Sequence, residues 1–188
     1  MSETPFLITV LGSGTSQGVP LIGCDCSVCK STDPRDSRTR CSIHITHGDF
    51  SLIIDTTPEL RLQCVREGIT RADAILFTHM HADHVMGFDD LRRFCEISGD
   101  RIPIYGPAET LNSLKAIFPY AFDSLMEVKT YVRATPHEIT APFTLGNLCV
   151  TPLPVPHANV ATNGYLFSRG NRKLFAYISD CAAVPREI

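Results

Sequence analysis

Short apolar runs separated by glycine- and proline-containing segments dominate the hydrophobic pattern of this chain. Runs of this length that are rich in β-branched and aromatic residues predict β-strands rather than helices. The predicted strands are 7–11, 42–46, 51–55, 74–78, 102–105, 148–152, 163–167 and 173–178. The run at 74–78 is nearly continuous in apolar residues, which is typical of a strand buried on both faces.

Helical periodicity is visible in three places between these strands. Pro58 suits the first position of a helix, Leu60 and Cys64 lie one turn apart, and Gly68 suits its end, which predicts a helix over 58–67. Further helices are predicted at 89–97 and 108–118. Strands with interspersed helices indicate a mixed α/β (α+β) fold, in which functional residues tend to follow the carboxyl ends of strands.

Length and composition predict one domain over residues 1–188. The chain is 44% hydrophobic, which is enough for one core, and it shows no repeat or linker. A net charge of -3 and the lack of a basic run argue against a nucleic-acid or membrane partner and favour a small-molecule substrate. No export signal or apolar segment of membrane length is present, so we expect a cytoplasmic protein.

A dense group of metal-ligand side chains follows the predicted strand 74–78. His79, His81, Asp83 and His84 lie within six positions. In extended backbone His79 and His81 project to the same side, and Asp83 and His84 follow where a turn could offer them to a second cation. Imidazole and carboxylate ligands suit zinc, manganese or iron. Asp83 could also orient a water molecule and accept its proton, so it is the candidate catalytic residue.

Three of the eight cysteines are compressed into one short segment. Cys24, Cys26 and Cys29 predict a structural zinc site, with free thiols as the alternative, because no export signal supports a disulfide framework. The spacing does not identify a fourth ligand, although Cys41 is the nearest cysteine in sequence. The preceding glycine-rich segment 12–18 matches neither a dinucleotide fingerprint nor a Walker loop. It could approach a phosphate or be a plain tight turn.

These motifs resemble a known superfamily. The segment 78–84, THMHADH, matches the HxHxDH motif of the metallo-β-lactamase superfamily, and Asp55 after its apolar strand matches the early aspartate of that superfamily. The segments 12–20 and 23–29 are similar to the phosphoribosyl cyclic phosphodiesterase branch, which acts in phosphonate degradation. The resemblance implies a four-layer αββα sandwich, with two sheets face to face and the metals at one edge.

The resemblance also assigns roles to residues that carry little signal alone. It implies that His157 joins His79 and His81 in a first metal site, that Asp83 and His84 hold a second metal, and that Asp180 bridges both. Asp55 would support these ligands without binding metal itself. Two divalent cations, zinc or manganese, would activate a hydroxide that attacks a cyclic phosphate of a phosphorylated ribose. The implied partner is a small phosphodiester, and a homodimer is left open.

One element of the superfamily pattern has no counterpart in this sequence. No histidine follows Asp180, although the superfamily places there a histidine that completes the second metal site. The fourth ligand of the cysteine site in the resembling family, a histidine of the same region, is missing too. We therefore interpret the sequence as a fragment that lacks the C-terminal part of the sandwich. A chain that truly ended here would bind the second metal weakly and have poor activity.

Three alternatives to the phosphodiesterase prediction stay open. The same metal core could cleave a thioester, a lactam or another acyl substrate. Processing of transfer-RNA 3′ ends occurs in the superfamily, but the acidic balance of this chain counts against it. A non-catalytic zinc-binding module would explain the cysteine segment, although it would gain nothing from the open cation site predicted at His79–His84.

Overall fold

A computed structural model of the protein describes residues 5–123, 128–186 and 188. A six-stranded sheet forms the centre of this part of the chain, with its strands in sequence order. Its second strand is antiparallel to both the first and the third, and strands three to six run parallel. They are β1 (Phe6–Gly12), β2 (Ser42–His47), β3 (Phe50–Ile54), β4 (Ala74–Leu76), β5 (Ile102–Gly106) and β6 (Ala134–Glu138).

A four-stranded antiparallel sheet packs against the first sheet. Its strands are β7 (Phe143–Leu145), β8 (Leu148–Val155), β9 (Thr162–Arg169) and β10 (Arg172–Tyr177), in the order β10, β9, β8, β7. Side chains from both sheets form one buried core, which includes Ile54, Leu76 and Tyr165. Because side chains alternate along a strand, neighbouring residues of β3 and β4 point to opposite faces of the first sheet.

The helices of the described residues lie on the other face of the six-stranded sheet. They are α1 (Leu60–Glu67), α2 (Ala82–Val85), α3 (Arg92–Ser98) and α4 (Ala108–Ile117), with 3₁₀ turns at Pro34–Asp36, Phe88–Leu91 and Pro119–Ala121. All four helices contribute to a second core that also contains Ile53 and Ile75. None of these helices is long and apolar enough to span a membrane.

The predicted mixed α/β fold with two facing sheets is confirmed. Three of the four expected layers lie in the described residues, since no helix there covers the outer face of the second sheet. The strands β6 and β7 and the short helix α2 were not predicted. Pro136 lies inside β6, an edge strand where a missing N–H is tolerated, and β7 has only three residues.

Two predicted helix boundaries differ from the structure for local reasons. The predicted helix 58–67 begins at Leu60, with Glu59 at the N-cap, and the Thr57 hydroxyl donates to Gln63 Oε1. The predicted helix 89–97 is a 3₁₀ turn over Phe88–Leu91 that continues as α3 to Ser98. Both differences lie in the first turn, where the position of a helix boundary is least well determined by periodicity.

Phe88 should be one of the most sensitive positions of the helical core. Its side chain is fully buried, and its ring lies 6.1 Å from that of Phe77, 5.1 Å from Phe118 and 5.8 Å from Phe122. We expect Phe88→Ala to cost about 3 to 5 kcal/mol, which lowers the thermal midpoint by about 6 to 20 °C. Calorimetry tests this, with the fully exposed Ile22→Ala as control. Equal midpoints for both variants would contradict the expectation.

Candidate metal centre

The predicted ligand residues all follow the ends of strands at one edge of the two sheets. Asp55 follows β3, the segment from His79 to His84 follows β4, His157 follows β8 and Asp180 follows β10. Backbone hydrogen bonds join these segments, from Asn163 N to Thr78 O at 3.0 Å and from Ala182 N to Pro156 O at 2.7 Å. The fold therefore gathers side chains that lie as much as 125 positions apart in the sequence, from Asp55 to Asp180.

Four of these side chains converge on one point. His79 Nε2 lies 3.0 Å from His81 Nδ1, which lies 3.1 Å from His157 Nε2. Asp180 Oδ2 lies 3.4 Å from His157 Nε2 and 3.9 Å from His79 Nε2. Two ligands of a tetrahedral cation, each about 2.1 Å from it, lie about 3.4 Å apart, so this first group fits one divalent cation.

A second group shares Asp180 with the first. His84 Nε2 lies 3.3 Å from Asp83 Oδ2 and 3.6 Å from Asp180 Oδ2. Asp83, His84 and Asp180 together offer three ligand atoms, whereas the first group offers four. A shared carboxylate between two such groups is the arrangement expected for a bridging ligand. The structure thus brings six of the candidate residues together: His79, His81, Asp83, His84, His157 and Asp180.

Asp55 orients two of the histidines without belonging to either group. Its Oδ2 accepts hydrogen bonds from Thr78 Oγ1 at 2.8 Å and from His84 Nδ1 at 2.7 Å, and its Oδ1 accepts one from Thr78 N. Because the Thr78 hydroxyl donates to Asp55, it accepts from His79 Nδ1 at 2.9 Å. With both rings neutral, these contacts would leave both Nε2 atoms as lone-pair donors that face the ligand groups.

The electrostatics of the site suit a cation. Burial lowers the pKa of His79 to about 4, so its ring is neutral and available as a ligand at neutral pH. Burial also disfavours the charged form of His84, but the carboxylates of Asp55 and Asp83 outweigh it and raise its pKa to about 11. The hydrogen bond to His84 lowers the pKa of Asp83. Positive charge is thus strongly favoured among these carboxylates, whether a proton or a metal supplies it.

Sequence reasoning missed two features of the site. Thr78 was noted only as part of the motif, although it links Asp55 to His79; its position directly before the first histidine was the available signal. Cys41 lies 3.3 Å from the hydroxyl of Tyr177, and burial raises the pKa of both groups. Cys41 is therefore engaged at the second sheet and is not a member of the cysteine group.

The three predicted zinc-binding cysteines do lie together. The sulfur atoms of Cys24, Cys26 and Cys29 are all within 4.8 Å of one another. Backbone N–H groups of Leu21 and Cys29 donate to Cys29 Sγ and Cys26 Sγ, each at 3.4 Å. Within the part of the chain that the structure describes, no fourth ligand joins this group. Three thiolates in one loop suit zinc, which would require a further ligand to complete a tetrahedron.

Cys26 should be the most reactive thiol of the metal-free protein. The hydrogen bond from the backbone of Cys29, followed by that from Cys24, lowers its pKa to about 7, and the side chain is exposed. Alkylation by iodoacetamide should therefore rise with pH and reach half its maximal rate near pH 7. Mass spectrometry of the modified peptides measures this rate.

The matched control for Cys26 is Cys64, whose pKa burial raises to about 11. Cys64 should remain unmodified throughout the same pH range, because its thiol is both buried and protonated. Added zinc should protect Cys26 if the three thiolates bind it. A half-maximal rate near pH 9 at Cys26 would contradict the effect of the backbone hydrogen bond.

Close packing explains the glycine-rich segment after β1. A side chain at Gly12 would place its Cβ 2.0 Å from the carbonyl oxygen of Arg40, and one at Gly14 would lie 2.8 Å from that of Arg38. Arg40 donates to Ser16 O and pairs with Glu59, which holds the loop against the start of α1. These contacts account for the glycines at 12 and 14 without a phosphate.

Comparisons with known proteins agree with this geometry. A family model described as a beta-lactamase superfamily domain matches residues 51–188. The crystal structure of a diphosphatase from the PhnP family is 39% identical, with a TM-score of 0.83 over 97% of this chain and 68% of that one. Zinc-bound PqqB from Methylobacterium extorquens is 26% identical, with a TM-score of 0.73 over 96% of this chain and 67% of its own.

A curated relative of another activity is also similar. An octanoyltransferase from Porphyromonas gingivalis is 38% identical over an alignment 189 positions long, gaps included, which covers 95% of this chain. The aligned part is 35% of that relative, so the chain spans about a third of its length.

Proposed function

The chain belongs to the metallo-β-lactamase superfamily, and from this premise we propose that it is a metal-dependent hydrolase that cleaves phosphodiesters. The observation that carries the proposal is the pair of ligand groups that share Asp180. The similarity to a diphosphatase of the PhnP family favours phosphorus over carbon as the atom attacked. A cyclic phosphate of a phosphorylated ribose is the specific substrate that we propose.

The donor atoms determine which cations fit. His79, His81, His157 and Asp180 would hold one cation, and Asp83, His84 and Asp180 the other, with zinc or manganese as the candidates. When bound, such cations lower the pKa of water and neutralise charge on phosphoryl oxygens. Cys24, Cys26 and Cys29 would hold a structural zinc at a distance from this chemistry.

Asp83 is the group that we propose as proton acceptor. The hydrogen bond from His84 lowers its pKa, so it is ionised at neutral pH and can accept a proton from an attacking water molecule. In the protein without metal, the same contact orients the carboxylate, because Asp55 holds His84 in turn; with metal bound, the shared cation would take over this role. Asp83 would thereby orient the nucleophile as well as accept its proton.

The exposure of the ligands indicates where substrate approaches. The side chains of His79 and His84 are almost fully buried, whereas those of His157 and Asp180 are 23% and 36% exposed. A diester would therefore approach from the side of His157 and Asp180. Glu109 accepts a hydrogen bond from Ala161 N at 2.9 Å and so anchors the loop that carries His157.

Hydrolysis of bis(p-nitrophenyl) phosphate tests the proposal. Turnover should disappear with a chelator and return with zinc or manganese, and His81→Ala should abolish it. The control is His137→Ala, because His137 is an exposed histidine that stacks on Tyr105 outside both groups. Metal-independent turnover, or unchanged turnover in His81→Ala, would remove the proposal.

An acyl substrate is the second candidate, and the similarity to an octanoyltransferase is what favours it. Cleavage of a p-nitrophenyl ester or a thioester in preference to the diester would support this candidate. Metal-linked stability with no turnover of either substrate class would instead support a zinc-binding module without catalysis. For the diesterase we further propose a cytoplasmic protein with a small-molecule substrate and no nucleic-acid or membrane partner.

A further inference from the structure

A small basic pocket lies below the glycine-rich loop, outside both ligand groups. Its volume is about 250 Å³, and it is bounded by the end of β1, the segment 34–39 and Arg66 of α1. Arg38 and Arg66 are the basic residues that line it, and Ser13 and Ser37 are among its polar lining residues. None of the described residues that line it is acidic, and none is a candidate metal ligand.

Both guanidinium groups keep hydrogen-bond donors available. Arg38 Nη1 donates to Ser13 Oγ at 3.2 Å, and among the described residues Arg38 forms no ion pair. Arg66 Nη2 donates to Leu11 O at 2.6 Å, and its Nε pairs with Glu67. A guanidinium has more N–H donors than these contacts use, so each side chain can also bind a ligand in the pocket.

We propose that this pocket binds a tetrahedral oxyanion of the phosphate type between Arg38 and Arg66. Guanidinium groups recognise such anions through paired, charge-assisted hydrogen bonds, and hydroxyl groups supply further donors. The volume is below the range of about 300 to 1,000 Å³ that is typical of pockets for larger organic ligands, which favours a small anion or a single phosphoryl group. This site is independent of the proposed hydrolytic activity.

Arg35 provides a matched control in the same segment. Its guanidinium pairs with Asp33, with 2.6 Å between Nη2 and Oδ2 and 3.0 Å between Nε and Oδ1. Arg66 is paired with a carboxylate in the same way, so Arg35 differs from it in not lining the pocket. Replacement of Arg35 therefore removes one positive charge, as each single replacement in the pocket does, without touching the proposed site.

Calorimetric titration with inorganic phosphate tests the proposal. Phosphate can also bind at the metal centre, so the titration is done on the wild type and on His81→Ala. The pocket should bind phosphate in both proteins. In the His81→Ala background, Arg38→Gln together with Arg66→Gln should weaken this binding about tenfold or more, whereas Arg35→Gln should leave it unchanged.

Two further measurements test the proposal even if Arg66→Gln unfolds the protein. Arg38→Gln alone changes an exposed side chain, so this single variant should fold and bind phosphate more weakly. In crystals of the wild type soaked with selenate, an anomalous peak should lie between Arg38 and Arg66. Tighter binding of ribose 5-phosphate than of phosphate would identify a phosphomonoester as the source of the anion, and equal affinities would identify free phosphate. Undiminished binding in the arginine variants, or selenate only at the metal centre, would overturn the proposal.

Discussion

Asp55→Asn is expected to weaken metal binding and turnover about 10- to 100-fold or more while leaving the backbone in place. The carboxylate accepts three hydrogen bonds from Thr78 and His84, and an amide cannot accept at both of its terminal atoms. Losing a carboxylate that orients metal ligands costs about 10- to 100-fold in metal affinity or activity, and this one orients two histidines. Competition with a chelator and hydrolysis of bis(p-nitrophenyl) phosphate measure the two effects.

Asp55→Asn changes the hydrogen bonds of residue 55 without straining its backbone. Asp55 has a φ of 65°, a left-handed conformation that asparagine adopts nearly as readily as aspartate. Unfolding free energy should fall by only about 1 to 3 kcal/mol, the cost of one buried group that loses its partner. Asp49→Asn makes the same chemical change at an exposed turn and should behave as wild type. Wild-type metal affinity in Asp55→Asn would show that Asp55 does not orient the histidines.

The ligand residues divide into those that local sequence reveals and those that it does not. His79, His81, Asp83 and His84 are close in sequence, so their spacing alone indicates a metal site. His157 and Asp180 are single polar residues after strands, and only the resemblance to a superfamily assigned them. Their convergence depends on the long-range pairing of β8 and β9 and of β9 and β10, which no local pattern encodes.

The strands and helices likewise divide into those that local sequence predicts and those that it does not. The apolar runs predicted most of the strands within one to three residues at each end, because burial on one or both faces determines their composition. β6 and the helix α2 were missed, since β6 contains Pro136 and α2 has only four residues, Ala82–Val85. The hydrogen bond from Thr78 to His79 was also missed, because it follows from side-chain geometry at the end of a strand.

Asp180→Asn should weaken both cation sites, whereas Asp83→Asn should weaken only one. Asp180 is the shared member of the two groups, and Asp83 belongs to the smaller. The group of four ligand atoms should bind its cation more tightly than the group of three described atoms, so these two groups should fill in two steps, in addition to any zinc on Cys24, Cys26 and Cys29. Stepwise titration with zinc, followed by elemental analysis, measures the affinity and number of bound ions.

The pair of variants also distinguishes the roles of the two carboxylates in turnover. Asp83→Asn should keep the tight cation. Its activity should nevertheless fall at least about 10- to 100-fold, because the proposed proton acceptor is gone. Asp180→Asn should weaken the tight cation as well, because only His79, His81 and His157 remain in that group, so turnover should require more added metal than in the wild type. Loss of the tight step in Asp83→Asn, or its retention in Asp180→Asn, would show that Asp180 is not the bridge between the two groups.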